Sequence, residues 1–242
     1  PGLPATFAGE DEAQTLELET VDSVTGVRAF LLYTVFEEYG VITRSVRFEN
    51  RGSAPVVLER AYSACVDFPG MDFDMVHLYG RWAKENSTAR HPLQHGIQSI
   101  QSKRGMTGPN HNPFVALARN GCTEETGEAY GFNLIYSGNF AIDIETDTRG
   151  CSRLLMGINP TDFRWKLSPE ESFTTPEAVL VYSDAGMGGM SRTFHKFYLN
   201  HLMRSEWAKK KRPLLINSWE AAYFDFDDDK LAAFAGEAQK LG

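Results

Sequence analysis

Two histidines, His91 and His95, have the four-residue spacing of paired metal ligands on one face of a helix. Pro92 and Gly96 lie beside them, and both residue types disfavour a helix here. No carboxylate follows at a ligand spacing. The pattern therefore favours histidines in a solvated or interface loop, and we expect neither a metal nor another cofactor.

Aspartates cluster in two places, and clustered carboxylates can bind calcium. Asp67, Asp72 and Asp74 alternate with apolar residues and lack the spacing of a calcium loop, which predicts a strand, a turn and a second strand. The run Asp227–Asp229 comes at the start of a helical segment, where acidic residues cap N–H groups and interact favourably with the helix dipole. Both clusters are predicted to be structural.

A glycine-rich segment, Gly186–Met187–Gly188–Gly189, precedes a helical pattern and invites comparison with a phosphate-binding loop. It lacks the Gly-Lys-Ser/Thr ending of such loops and the strand context of a nucleotide fold. A flexible turn into a helix is the favoured interpretation.

Trp219 is the residue for which a binding role and a structural role are evenly balanced on position alone. It follows Leu214–Ile216, a short apolar run that predicts a strand, and the acidic helix start comes after it. Such a strand–loop–helix unit is typical of a β/α barrel, whose active site forms at the carboxyl ends of its strands. There an aromatic ring can lie against the apolar face of a sugar, although tryptophans are usually largely buried.

The number of residues after this strand sets the expected extent of the barrel. A barrel needs eight such units in about 250 residues, but only 242 − 212 = 30 residues follow Arg212. The chain also begins at Pro1 rather than at methionine. We therefore expect a fragment of a longer protein.

Upstream of the barrel unit, residues 14–182 alternate between apolar and polar types in short runs separated by turn signals. Phe140, Ile142 and Ile144, for example, alternate with polar or small neighbours. This pattern predicts a mainly β, antiparallel sandwich. The less regular segment Arg81–Pro113 is predicted to form long loops.

After Tyr182 the period changes to that of a helix, with an apolar stripe at Met190, Phe194 and Phe197. Pro213 sets its latest possible end. We expect a helix over residues 186–211 that links the sandwich to the barrel strand.

The charge, hydropathy and cysteine content of the chain limit which partners and which cellular compartment we expect. The net charge of −8 argues against nucleic acid and anionic membrane surfaces, and no apolar run approaches a spanning length. Three scattered cysteines exclude a disulfide framework and a Cys-x-x-Cys zinc site. Their odd number favours a reducing compartment, so we expect a cytoplasmic protein.

Eight segments, spread in order over nearly the whole chain, form one recognisable set. The barrel start RPLLINSWEAAYFDF follows seven upstream segments, which are GLPATF at Gly2–Phe7, VITRSVRFEN at Val41–Asn50, VDFPGMDFD at Val66–Asp74, NPFVAL at Asn112–Leu117, YGFNLIYSGNF at Tyr130–Phe140, MGINPTDF at Met156–Phe163 and TPEAVLVYSD at Thr175–Asp184. Together these segments resemble glycoside hydrolase family 36, the bacterial α-galactosidases.

The resemblance implies a β-supersandwich over residues 1–185, incomplete at its N-terminus, a linker helix over 186–211 and the first unit of a (β/α)8 barrel over 212–242. It also implies a retaining α-galactosidase that acts on melibiose- and raffinose-type oligosaccharides and assembles as a tetramer. The family's two catalytic aspartates lie in motifs similar to KWD and SDDTD, which this sequence lacks, as it lacks the DDGW motif. No aspartate of this chain is therefore assigned a catalytic role, and the chain alone is expected to be inactive.

What the resemblance carries over is a galactose-subsite role for Trp219, with Tyr223 as a second candidate. Ser218 stands where many relatives have asparagine, a small change from which we infer no specificity. Two alternatives stay open: the sandwich is a non-catalytic carbohydrate-binding or oligomerisation module, or the parent enzyme is an α-N-acetylgalactosaminidase or a transglycosidase.

Overall fold

The computed structural model describes residues 3–241 and divides them into two compact units, one ending at Met203 and one beginning at Arg204. Pro1, Gly2 and Gly242 lie outside the described residues. The structure therefore does not describe the first two residues of the expected domain 1–185 or the last residue of the expected domain 212–242. It also omits Gly2, the first residue of the segment GLPATF.

The first unit consists of fifteen strands and one long helix. The strands are β1 (Gln14–Val21), β2 (Val27–Phe36), β3 (Val41–Asn50), β4 (Val56–Leu58), β5 (Tyr62–Phe68), β6 (Phe73–Arg81), β7 (Lys84–Pro92), β8 (Gly96–Gln101), β9 (His111–Arg119), β10 (Ala129–Ile135), β11 (Phe140–Thr146), β12 (Ser152–Ile158), β13 (Trp165–Leu167), β14 (Ser172–Thr174) and β15 (Glu177–Ser183). Helix α1 spans Gly186–His201, and a 3₁₀ turn, Glu37–Tyr39, joins β2 to β3.

The strands form antiparallel sheets. Eight strands of the nine-stranded sheet lie in the order β1-β2-β3-β15-β10-β9-β6-β7, and β14 pairs with β3. A four-stranded sheet has the order β5-β12-β11-β8, and β13 pairs with β4. The predicted mainly β, antiparallel fold is confirmed.

The core lies between the nine-stranded and four-stranded sheets. Phe140, Ile142 and Ile144 of β11 are fully buried in it, as their alternation predicts, together with Leu117 of β9 and Leu134 of β10. Burial of each such side chain contributes about 1.5–3 kcal/mol before the entropy of ordering is counted.

The opposite face of the nine-stranded sheet is covered by α1. The predicted apolar stripe is confirmed, because Met190, Phe194 and Phe197 are all buried there. The helix can approach closely because Gly131 has no side chain: a Cβ atom at this position would lie 2.5 Å from Cε2 of Phe194.

The expected linker helix over residues 186–211 ends earlier than its sequence pattern predicts. It stops at His201, ten residues before 211, and it packs on the sheet of the first unit. The imidazole of His201 is buried beside Phe36 and Phe197, with its Nδ1 3.0 Å from the carbonyl oxygen of Phe7. These contacts at its last residue tie the helix end to the first unit.

The predicted loops over Arg81–Pro113 were wrong for most of their length, because this segment contains β7, β8 and the first residues of β9. Strand β7 is the outer strand of its sheet, and nearly all of its side chains are exposed on both faces. A strand in this position needs no apolar alternation, so the signal used to recognise strands is missing.

The second unit holds a 3₁₀ turn, Glu206–Ala208, and two helices, α2 (Trp219–Ala222) and α3 (Asp228–Leu241). Within its described residues, the predicted strand at Leu214–Ile216 does not form. Leu215 is 92% exposed, and no strand of this unit pairs with it. A barrel strand is stabilised by its neighbours, and no such neighbours lie among the described residues, so the barrel strand at Leu214–Ile216 stays a prediction.

Candidate functional site

The candidate site is the turn from Asn217 to Phe224, which contains both residues predicted to contact substrate. The Oδ1 atom of Asn217 accepts a hydrogen bond from the backbone N–H of Trp219 at 3.0 Å. This bond satisfies an N–H at the start of α2 that has no partner inside the helix. The short helix is closed by the N–H of Tyr223, which donates to the carbonyl of Trp219 at 2.9 Å.

Trp219 is the centre of a small aromatic cluster. Its ring lies 5.2 Å from that of Tyr223 and 5.0 Å from that of Phe224, and both pairs have edge-on geometry. The structure thus brings the two predicted site residues together and adds Phe224, which the sequence analysis did not identify. Its signal was the run Tyr-Phe at the end of α2, where a turn follows.

The cluster is exposed rather than packed into a core. Trp219 exposes 44% of its surface, Tyr223 56% and Phe224 84%. Indole and phenol rings combine a large apolar face with a polar atom. The cluster can therefore present an apolar surface to a sugar ring while the Tyr223 hydroxyl forms a hydrogen bond.

The backbone of Tyr223 has φ of +49°, a conformation that bulky residues rarely adopt. Such a conformation persists only where the surrounding structure fixes it, and it is often found at functional sites. Here it turns the chain sharply after α2, so that Phe224 lies against Trp219.

The charged side chains near this turn do not form a metal-binding group among the described residues. Within residues 3–241, no three histidine, cysteine, aspartate or glutamate side chains are placed to hold a metal ion together. Asp225 lies near the cluster, but its carboxylate accepts from Lys230 Nζ at 3.0 Å. The arrangement can bind a ligand through stacking and hydrogen bonds.

Both aspartate clusters have the structural roles predicted for them. The carboxylate of Asp227 accepts the N–H of Lys230 at 2.8 Å and so caps α3. The aspartates of the first cluster belong to β5, β6 and the turn between them, and each pairs with a different arginine. The pairs are Asp67–Arg153, Asp72–Arg119 and Asp74–Arg90, each at 2.6 Å.

The strongest electrostatic effect in this cluster is at Asp67, which accepts two hydrogen bonds from Arg153 at 2.6 and 2.9 Å. This bidentate pair lowers the pKa of Asp67 below its usual range. The carboxylate is exposed, so the pair is screened by solvent and contributes little to stability.

The glycine-rich segment is a turn into a helix, as predicted. Its backbone N–H groups already have partners in the loop between β9 and β10. The N–H of Met187 donates to the carbonyl of Thr123, and the N–H of Gly188 donates to that of Glu124, each at 2.9 Å. Those donors are not free to bind a phosphate.

The two histidines of the metal-like spacing are separated by the fold. His91 lies in β7, which corrects its placement in a loop, whereas His95 lies in the connection to β8 and its Nδ1 is 2.8 Å from the carbonyl of Asp147. Pairing of β6 with its neighbours instead brings His77 within 5.9 Å of His91 and 5.8 Å of His111, measured between ring centroids. His77 is buried, and burial together with His111 and His91 lowers its pKa.

The comparisons with known proteins decide the family. The model of the glycosyl hydrolase family 36 N-terminal domain matches residues 1–168, and a melibiase model matches residues 172–242. This chain belongs to glycosyl hydrolase family 36. The first match covers the strands β1–β13 of the first unit, and the second covers β14, β15, α1 and the second unit, including the Trp219 cluster.

Family 36 relatives match along the whole chain. Alpha-galactosidase AgaA of Geobacillus stearothermophilus is 49% identical over 242 residues, which cover 100% of this chain and 33% of that protein. Alpha-galactosidase C of Emericella nidulans is 44% identical over 242 residues, covering 100% and 32%. The chain thus spans about one third of the length of the curated relatives it matches.

The fold also matches solved structures of this family. The crystal structure of an AgaA variant from Geobacillus stearothermophilus in complex with stachyose has a TM-score of 0.97 and 48% identity. The match covers 100% of this chain and 34% of that one. This chain therefore has the fold of the matched third of that structure, its mainly β domain and the start of its barrel.

No helix of the described residues is long and apolar enough to cross a membrane. All three cysteines, Cys65, Cys122 and Cys151, are free thiols, in agreement with the prediction that they form no disulfide framework.

Proposed function

We propose that this chain is part of a retaining α-galactosidase that removes terminal α-linked galactose from raffinose-type oligosaccharides. The observation that carries the proposal is the match of the entire chain to family 36 proteins named α-galactosidases, at 49% and 44% identity. A relative of the same fold was solved with stachyose, an oligosaccharide of this class.

The role proposed for this chain within that enzyme is structural support and one wall of the sugar site. The exposed ring of Trp219, oriented by Asn217 and by the rings of Tyr223 and Phe224, supports a stacking surface for galactose. The nucleophile and the general acid of a retaining mechanism are two carboxylates about 5 Å apart. None of the aspartates described above is assigned to either role, so the chain by itself is proposed to be inactive.

The test uses the complete protein and the 242-residue chain side by side. The complete protein is expected to hydrolyse raffinose and nitrophenyl α-galactoside with retention of configuration, and the chain alone is not. Failure of the complete protein on both substrates would refute the proposal. Turnover by the chain alone at a comparable rate would refute the division of roles.

Two finer points are proposed on the same basis. The substrate is a galactoside rather than an N-acetylgalactosaminide, and hydrolysis dominates over transfer; parallel assays of both nitrophenyl glycosides and of the products test this. The complete protein is also proposed to be a homo-oligomer, for which sedimentation analysis is the direct measurement. The three free thiols support a reducing, cytoplasmic location.

A further inference from the structure

A pocket of about 520 Å³ lies in the connection between β8 and β9, in the first unit. Its lining residues all belong to the segment Gln101–His111. Lys103, Arg104 and His111 are among them, and neither aspartate nor glutamate is. The charge that this pocket can carry is therefore positive.

The positive charge of this pocket is opposite in sign to the net charge of the molecule, which has 32 acidic and 24 basic residues. An acidic chain readily supplies carboxylates to its arginines, as the pairs of Asp67, Asp72 and Asp74 illustrate. Lys103 and Arg104, however, form no ion pair with any residue between 3 and 241. Two adjacent cations are left without a counter-charge.

The walls of the pocket are fixed by hydrogen bonds to the turn between β10 and β11. The N–H of Gly105 donates to Oδ1 of Asn139 at 2.7 Å, and the N–H of Thr107 donates to the carbonyl of Ser137 at 2.8 Å. These bonds hold the segment against the sandwich, so its conformation does not depend on the cations themselves. The pocket is a formed part of the fold.

The lining contains three side chains with N–H donors that no acidic group occupies, Lys103, Arg104 and Asn110. Arg104 donates to Oδ1 of Asn110 at 2.7 Å, which fixes the guanidinium and leaves the Asn110 amide nitrogen as a donor. A guanidinium, an ammonium group and an amide together suit a ligand that only accepts hydrogen bonds.

From this arrangement we infer that the pocket between β8 and β9 binds a phosphate group, either as the free ion or on a phosphorylated small molecule. Arginine and lysine are the usual partners of phosphate oxygens. The volume is in the range of small-molecule sites, which leaves room for the organic part of a phosphate ester. The lining suits a neutral sugar less well, because sugar hydroxyls need strong acceptors as well as donors and the lining contains no carboxylate. This pocket shares no residue with the Trp219 cluster.

His111 provides a readout for binding. Its pKa is lowered, first by burial and then by the positive charge of Arg104. A bound phosphate would offset that charge and favour the protonated imidazole, so the His111 pKa should rise on binding.

The experiment is an NMR titration of the isotope-labelled 242-residue chain with inorganic phosphate and, separately, with galactose 6-phosphate. Each is compared with sodium chloride at the same ionic strength. Saturable shifts at Thr107, Asn110 and the His111 ring are expected with phosphate and absent with chloride. Equal affinity for both ligands identifies the phosphate group alone as the ligand, whereas tighter binding of the ester shows that the pocket also contacts the organic part.

Matched variants locate the binding. Arg104→Gln should weaken binding roughly tenfold, a loss typical of one charge-assisted contact. Arg164→Gln is the control, because it removes the same charge from an exposed arginine at a different pocket. The inference is overturned if neither phosphate ligand gives saturable shifts, if chloride gives the same shifts, or if both variants bind equally well.

Discussion

Replacement of Trp219 by alanine tests the proposed sugar site most directly. A tryptophan side chain offers up to about 250 Å² for burial, so its 44% exposure leaves roughly 110 Å² accessible. A sugar on one face of the ring would cover about half of that, ~55 Å², which at ~25 cal/mol per Å² is about 1.4 kcal/mol. This corresponds to about a tenfold loss of affinity.

The assay is steady-state hydrolysis of raffinose by the complete protein, with KM and kcat determined separately. If the ring binds the substrate and the transition state equally, Trp219→Ala raises KM about tenfold and changes kcat little. Trp219→Phe should restore most of the affinity, because it retains an aromatic face. Trp207→Ala is the matched control, since Trp207 belongs to the same unit and has a similar exposure, 41%.

Equal KM values for Trp219→Ala and Trp207→Ala, with both proteins folded, would refute a stacking role. Trp219 would then serve only to hold Tyr223 and Phe224 in place. Circular dichroism and thermal unfolding of the variants separate this outcome from a general loss of structure.

Two further predictions concern the first unit. Gly131→Ala should destabilise the 242-residue chain by about 1–3 kcal/mol in urea unfolding, because the new methyl group would overlap Phe194; Gly108→Ala, which has open space around it, is the control, and equal effects would contradict the packing argument. The free energy of unfolding should also fall as the pH drops below 6.5, because His77 has a lowered pKa in the folded state and an ordinary one in the unfolded chain. The stability due to His77 is complete above pH 6.5 and is lost as the pH falls through the lower folded-state pKa. The facing imidazoles of His91 and His111 lower the pKa of His77 further. His77→Gln should therefore flatten the pH dependence of the unfolding free energy between pH 5 and 7, roughly the range in which an ordinary imidazole titrates. An unchanged slope would refute this prediction.

The parts of the fold that follow from local pattern could be predicted from the sequence. Strand β11 and helix α1 each bury one apolar face, so their periods of 2 and about 3.6 residues are visible in the residues themselves. Strand β7 was missed because it has no buried face, and its strand conformation comes only from pairing with β6. The helix pattern also continued past His201, where contacts to Phe7 and Phe36 set the true end.

The candidate site was predictable only in part, for a similar reason. Position alone left the role of Trp219 evenly balanced, and the family resemblance selected it together with Tyr223. Phe224 joins them through the positive φ of Tyr223, which sequence does not reveal. The cluster of His77, His91 and His111 combines residues from three strands. Nothing in their spacing along the chain indicates that pairing.

The position of β15 has a consequence for how the first unit forms during synthesis. This strand is the last of the fifteen in the sequence, yet it lies between β3 and β10 and is the link between the two halves of the large sheet. While a ribosome is producing the chain, the ribbon β1-β2-β3 and the ribbon β10-β9-β6-β7 can exist only separately, each with an open edge. Such edges are prone to incorrect pairing. Insertion of Glu177–Ser183 closes both edges at once, so assembly of this domain depends on one short segment that emerges near its end.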